Sequence, residues 1–269
     1  MCIRDSHEPD KRKEAAINIA RSFGYKVAPL DINTSGTAWE VRDGKLVPPL
    51  TTIKGLGDAA IEEILLKRPF SSPEDLLFDK GVIARKVNKK SLDALCRAGA
   101  MQSLQDDRFF GDKHFWSAVV VDKPKNKKRL DLNIDKYKDE GTFSKSERIN
   151  HLQALTGIYP INMVVPVKAY QFFESHGITP LSEYDPELGK GWCIPTEVVT
   201  RKTKGGKSYY QVTVIDSNMK TQRINCWGID PKKDFVYTHK MYVLEWPQYN
   251  ATWGFSTRGG LSRNWKLLG

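Results

Sequence analysis

One stretch constrains the fold more than any other: residues 50–68, LTTIKGLGDAAIEEILLKR. Gly55 and Gly57 bracket Leu56, and apolar residues then recur at Ala60, Ile61, Ile64 and Leu65, the spacing of one helix face. A Gly-x-Gly turn lets the backbone approach a partner closely, because no Cβ stands in the way. A helix that starts there aims its free N–H groups and the positive end of its dipole at that partner, which suits a phosphate. Leu56 is expected to plug the turn into the core, and Lys54 and Lys67 to supply point charges. Such contacts read a phosphate backbone and not a base sequence. The plain alternative is an ordinary turn between packed helices, since two glycines at this spacing also occur by chance. A second unit is expected at residues 92–101, LDALCRAGAM, which also ends in a glycine turn.

Charge points the same way. The 269 residues carry 42 Lys+Arg against 32 Asp+Glu, a net +10. Residues 191–269 hold twelve Lys/Arg and five Asp/Glu, so most of the excess sits in the C-terminal third, among many aromatics. That pattern favours a polyanion, most often nucleic acid, over a merely soluble basic surface. The hydrophobic content, 40%, supports packed cores. No apolar run approaches the roughly 20 residues of a membrane span, so no membrane role is expected. Cys2, Cys96, Cys193 and Cys226 form no CxxC, so neither a zinc ribbon nor a disulfide framework is expected, and a reducing cytoplasm is the simplest compartment.

The pattern predicts an α+β multidomain chain. Residues 1–6, MCIRDS, read as a non-native leader, so the native chain is expected to begin inside a longer protein. Residues 10–23 read as an amphipathic helix. Short strands are expected at 25–30, 37–41 and 45–47, with Asp43-Gly44 as a hairpin turn. Further helices are expected at 71–78, capped by Ser72, and at 88–98, stopped by Gly99. Residues 106–147 hold few apolar residues after Val121 and read as a linker with a short helix.

From residue 192 short alternating runs and Gly-rich turns predict a small β domain. Strands at 193–202, 208–216, 222–227, 241–246 and 253–268, with a helix at 231–239, follow the order of a five-stranded OB-fold barrel. The turn at 201–207 carries Arg201, Lys202, Lys204 and Lys207. Its GGKS is no P-loop, because Arg201 stands where that motif needs glycine. Alternation puts Tyr210, Val212, Val214, Ile224 and Cys226 in the core, and Tyr209, Arg223 and Trp227 outside, where bases could stack and a phosphate could pair. The competing expectation is that Tyr209 and Trp227 pack under residues 231–239.

The run VAPLDINTSG, IKGLGDAAIEEIL, PFSSPEDL and VNKKSLDALCRAGAMQSL, within residues 27–104, resembles in order and spacing the α subunit of bacterial DNA polymerase III, the C-family replicative polymerase. SERINHLQALTGIYPIN, at 146–162, resembles the segment that family carries before its C-terminal β domain, although Asn162-Met163 replaces the usual His-Pro. The resemblance implies a C-terminal fragment, bacterial or from a bacteriophage. It would comprise the end of the fingers at 7–49, a helix-hairpin-helix region at 50–104, a linker and helical segment at 105–190 and an OB domain at 191–269. It implies that the parent is a DNA-directed DNA polymerase (a nucleotidyltransferase of DNA replication) whose palm aspartates hold Mg2+ upstream of the matched region. The fragment is then expected to bind duplex and template single strand, to lack catalytic residues, metal and cofactor, and to be inactive alone. Sliding clamp and replisome subunits are possible partners, although the family's clamp motif would fall near 130–134, where its glutamine is missing. A complete, catalysis-free DNA-binding scaffold and an error-prone repair paralogue are the rival readings.

No other chemistry can be argued. Asp131 and Asp135 in DLNID superficially resemble a metal motif but lie in the expected linker, and the five histidines show no HxxH spacing.

Overall fold

The computed structural model describes residues 25–268. The leader at 1–6 and the helix at 10–23 lie outside the described residues. The chain divides into two compact units, Met1–Tyr159 and Pro160–Gly269.

In the first unit, β1 (Lys26–Val27) pairs parallel with β3 (Lys45–Val47), which pairs antiparallel with β2 (Glu40–Arg42). Asp43 and Gly44 both have positive φ, 49° and 70°, as a two-residue turn matched to strand twist requires. Asn33 clamps the backbone of Phe70, donating to its carbonyl at 2.8 Å and accepting its N–H at 2.7 Å. α1 (Asp58–Lys67) and α2 (Lys89–Arg97) bury Ala60, Ile61, Ile64, Leu92 and Leu95 in a common core. Ser72 accepts the Asp75 N–H at 3.2 Å and Asn88 accepts that of Ser91 at 3.1 Å, so both expected helix starts are capped.

Residues 106–147 do not form a linker. α3 (Asp112–Trp116) runs on into a widened turn at Ser117–Val121, and α4 (Lys127–Lys136) follows. Phe109, Phe115, Ala118, Val119, Val120 and Leu130 enter the same core as α1 and α2. The segment's apolar residues are few but cluster at helical spacing, and two buried polar side chains tie its backbone together. Buried His114 accepts the Phe110 N–H on Nδ1 at 3.1 Å, and its Nε2 lies 2.8 Å from the Ile134 carbonyl. Buried Asn133 donates to the carbonyls of Ala118 and Asp122. α5 (Lys145–Thr156) begins with a reciprocal Ser144–Glu147 capping box.

The second unit opens with α6 (Val167–Ser175), whose Phe173 stacks on Trp192 at 4.7 Å. β4 (Thr179–Pro180) then pairs parallel with β5 (Lys190–Lys202). The remaining strands are β6 (Ser208–Ile215), β7 (Gln222–Trp227), β8 (Met241–Glu245), β9 (Gln248–Asn250), β10 (Gly254–Arg258) and β11 (Trp265–Leu268). They form one curled sheet in the order β11-β8-β5-β6-β7-β10-β9, with β7 and β10 parallel. Tyr210, Val212, Val214, Ile224 and Cys226 are buried, as alternation predicts.

The sheet path holds seven strands rather than five. The run expected at 241–246 forms β8, and after Trp246, at φ 50°, and Pro247 comes β9, outside every expected strand. Gly259 and Gly260, at φ 88° and 85°, divide the run expected at 253–268 into β10, the short α7 (Leu261–Asn264) and β11. The helix expected at 231–239 is absent. Asp230 accepts the N–H groups of Lys233 and Asp234, closing one turn, and Val236 then packs into the sheet core.

Buried Glu63 ties α1 to the following loop, accepting the Ile83 N–H and the Lys86 ammonium, each at 3.1 Å. These partners, the backbone N–H first, hold its carboxyl below the ordinary value of 4.5. A carboxylate with a depressed folded pKa stabilises fully above its ordinary value, and that contribution disappears as pH falls through the lower folded one. Thermal melting from pH 7 to pH 3 is therefore expected to show Glu63→Gln below wild type at neutral pH, the gap closing in acid. A gap independent of pH would contradict this.

Candidate nucleic-acid interfaces

The glycine hairpin of the first unit has three structural parts. Leu56 is buried, and its N–H donates to the Ile53 carbonyl at 3.2 Å. The Lys54 N–H donates to Leu155 at 2.7 Å, which fastens the turn to the end of α5. Gly55 has φ 86°, a conformation that favours glycine, and Gly57 is the extended N-cap of α1. The Gly57 carbonyl accepts from Ala60 and Ile61. Gly57 supplies no side-chain cap, and among the described residues the N–H groups of Gly57, Asp58 and Ala59 have no backbone acceptor. A Cβ at Gly57 would meet nothing within 4 Å. The turn is thus an open cradle of donors at the positive end of a ten-residue helix. Asp58, in the first turn, already answers part of that dipole.

Charge around the cradle differs from the sequence expectation. Lys67 lies at the far end of α1, about 14 Å along the axis at 1.5 Å per residue, beside Gly81. Lys90 takes the place expected for it: its Cε lies 3.5 Å from where a Gly55 Cβ would stand. Lys90 sits in the first turn of α2, a helix with no acid there, where a cation faces the unfavourable end of the dipole. The sequence signal for it was the NKK run at a capped helix start, spatially adjacent but 35 residues distant. The second glycine turn, at Gly99, closes α2 through Gly99 N–H to Cys96 and Ala100 N–H to Leu95. Only a short turn at Gln102–Leu104 follows, so no second helix N-terminus is presented there.

On the outer face of the curled sheet the strand register lines up one row. Arg201 pairs with Tyr209, Tyr209 adjoins Trp227 across the β6–β7 ladder, and Trp227 pairs with Arg258. The Tyr209 and Trp227 rings stack on each other at 4.3 Å and 28°, half-buried, in a row that carries an arginine at each end. Arg223 lies on the same face four residues along β7 from Trp227 and is exposed. Lys204 and Lys207 stand in the exposed β5–β6 turn, closed by Thr203 N–H to Lys207 at 2.9 Å, while Lys202 alternates to the face opposite Arg201. Arg258 was missed in the sequence because only the parallel β7–β10 pairing brings it beside Trp227.

Other candidates resolve differently. Asp31, within the VAPLDINTSG run of the polymerase resemblance, caps its own loop, accepting from Asn33 and Thr34. Asp135 pairs with Lys138, and Asp131 lies 3.6 Å from Arg108. Among the described residues no three of His, Cys, Asp and Glu come together to hold a metal. Burial pushes the Cys226 thiol up to about 12 and the Cys193 thiol well up, which leaves both unreactive. Among the described residues no helix is long and apolar enough to cross a membrane.

The two glycines separate fold from binding. Gly57→Val is expected to cost less than about 1 kcal/mol, the loss of glycine at an N-cap, because the site is open and its backbone suits a branched residue. Gly55→Val must adopt positive φ and is expected to cost about 1–2 kcal/mol, measured by denaturant unfolding.

A family model of the helix-hairpin-helix motif matches residues 24–109. The DNA polymerase III subunit alpha of Caulobacter vibrioides is 34% identical over 91 residues, and that of Thermus aquaticus 35% over 106. These matches take in 33% and 38% of this chain and 8% of each relative. An error-prone DNA polymerase of Corynebacterium efficiens is 36% identical over 93 residues, covering 34% of this chain and 8% of its own length. The chain thus spans a small part of the relatives it matches. The hairpin cradle, the family match over the same residues and these relatives agree: residues 24–109 are similar to the helix-hairpin-helix region of DNA polymerase III α subunits.

Proposed function

We propose that this chain is the DNA-binding, C-terminal portion of a DNA polymerase III α-type polymerase. Its hairpin holds the backbone of duplex DNA behind the active site. Its curled sheet, as a five-stranded OB barrel, contacts the template single strand. The observation that carries the reading is the open donor cradle at Gly55–Gly57, flanked by Lys54 and Lys90, inside the region related to these polymerases. The barrel reading is supported by strand pairing. If β8 and β9 count as one kinked run, β5, β6, β7, β8–β9 and β10 make five. That run pairs with β5 on one side and β10 on the other, and β10 pairs parallel with β7.

The parent would extend a primer with deoxynucleoside triphosphates, using Mg2+ held by palm aspartates. The described residues bring together no carboxylate cluster that fits such an ion, so no catalytic step is assigned to them. Sliding clamp and other replisome subunits belong to the same proposal, as does a cytoplasmic location. An error-prone repair polymerase is the second reading, favoured by the comparable match to the Corynebacterium enzyme.

Fluorescence anisotropy with duplex, single strand and primer–template across a salt series tests the proposal. Gly57→Val is expected to weaken duplex binding about ten-fold, with Lys90→Ala acting in the same direction. Unchanged duplex affinity would remove the hairpin assignment. Replacing Lys202, Lys204 and Lys207 by alanine is expected to flatten the single-strand salt slope by about 2, at about 0.7 per lost phosphate contact. An unaltered slope would detach the turn from the strand. Primer extension by the chain alone would overturn its non-catalytic role.

A further inference from the structure

The outer face of the sheet carries a second row that phosphate contact and stacking leave unused. Gln211 on β6 pairs with Asn225 on β7, Asn225 with Ser256 on β10, and Ser256 with Gln248 on β9. The chain neighbours Tyr210, Val212, Ile224, Cys226, Phe255 and Thr257 are buried, so alternation sets Gln211, Asn225 and Ser256 on the solvent side, and Gln248 is itself exposed. Three amides and a hydroxyl thus cross four strands in one line. The row lies about 6.7 Å, two residues along the strand, from the Arg201–Tyr209–Trp227–Arg258 row.

None of the four side chains makes a hydrogen bond within the described residues, unlike Asn218 in a surface turn and Asn250 at the end of β9. The Oδ1 of Asn225 is inaccessible and has no donor. A shielded acceptor without a partner is costly, and no internal bond fixes the amide against rotation. Four polar groups with unused hydrogen-bonding capacity lie beside a stacked aromatic pair, on the open side of the sheet.

We propose that this amide row reads base edges, so that the sheet binds single strands with a preference for adenine. The proposal rests on the reading of the sheet as a single-strand surface. A carboxamide offers a donor and an acceptor side by side, the complement of adenine N6 and N7. Bases of a single strand, stacked on an aromatic platform, expose those edges to neighbouring side chains. The row is uncharged, so it adds discrimination among bases without adding salt dependence, whereas the lysines and arginines around it do the reverse. The hairpin reads backbone and contributes alike to every sequence, so base preferences measured on the full chain report the sheet.

The test measures anisotropy of labelled 15-mers of oligo-dA, oligo-dC, oligo-dT and an abasic strand with the full chain, at several salt concentrations. Oligo-dA is expected to bind at least five-fold tighter than oligo-dT, and the abasic strand weakest. Gln211→Leu with Asn225→Leu is expected to bring oligo-dA to the level of oligo-dT with the salt slope unchanged. Trp227→Ala is expected to weaken all base-bearing strands together. Gln248→Leu, at an exposed position, is expected to lower the preference part way should the double variant fold poorly. Equal affinities in the wild-type chain, a preference for another base, or a preference that survives the amide variants would overturn the base-reading row while leaving the single-strand surface standing. Absence of binding to every strand would instead remove the surface itself.

Discussion

The first unit depends on one arrangement: a buried leucine between two bare glycines. Leu56 is held in the core, so the turn cannot lift away, and the Lys54 N–H bond to Leu155 secures its entry. The glycines then face outward with no Cβ to fill the space, and α1 must begin at Gly57 with its first donors unanswered. Helix packing behind the turn and the open donors in front of it follow from the same three residues. α2 packs on the same core and brings Lys90 against Gly55, a cation where its own helix dipole disfavours one.

In the second unit the corresponding constraint is register. Alternation divides each strand into a core set and a solvent set, and pairing turns the solvent sets into transverse rows. One row is Arg, Tyr, Trp, Arg, and the next is amides and a hydroxyl. A slip of one residue in β7 would send Trp227 and Asn225 inward and Cys226 outward. The buried Ile224 and Cys226 oppose such a slip.

Polar groups inside the first unit explain how a segment poor in apolar residues becomes part of the core. His114 and Asn133 each satisfy two backbone groups where α3 meets α4, and such satisfaction is what permits polar burial. Composition averaged over residues 106–147 hides this, because the apolar residues are few but placed at helical spacing.

The sequence by itself determined what local rules decide. The Gly-x-Gly turn, the helix after it, the cap at Ser72, the hairpin at Asp43-Gly44 and the core face of β6 and β7 all rest on residues within a few positions of one another. Tertiary structure decided what depends on distant residues meeting. Lys67 was placed at the hairpin by sequence proximity, but a helix carries it to the other end, while Lys90 arrives from a separate helix. Arg258 joins Trp227 only because β10 runs parallel to β7, and the amide row exists only across four strands. The helix pattern at 231–239 likewise gives way to a single turn once Val236 packs against the sheet core. Spacing along the chain encodes helix faces and turns, whereas neighbours across a fold are fixed only when burial selects the packing.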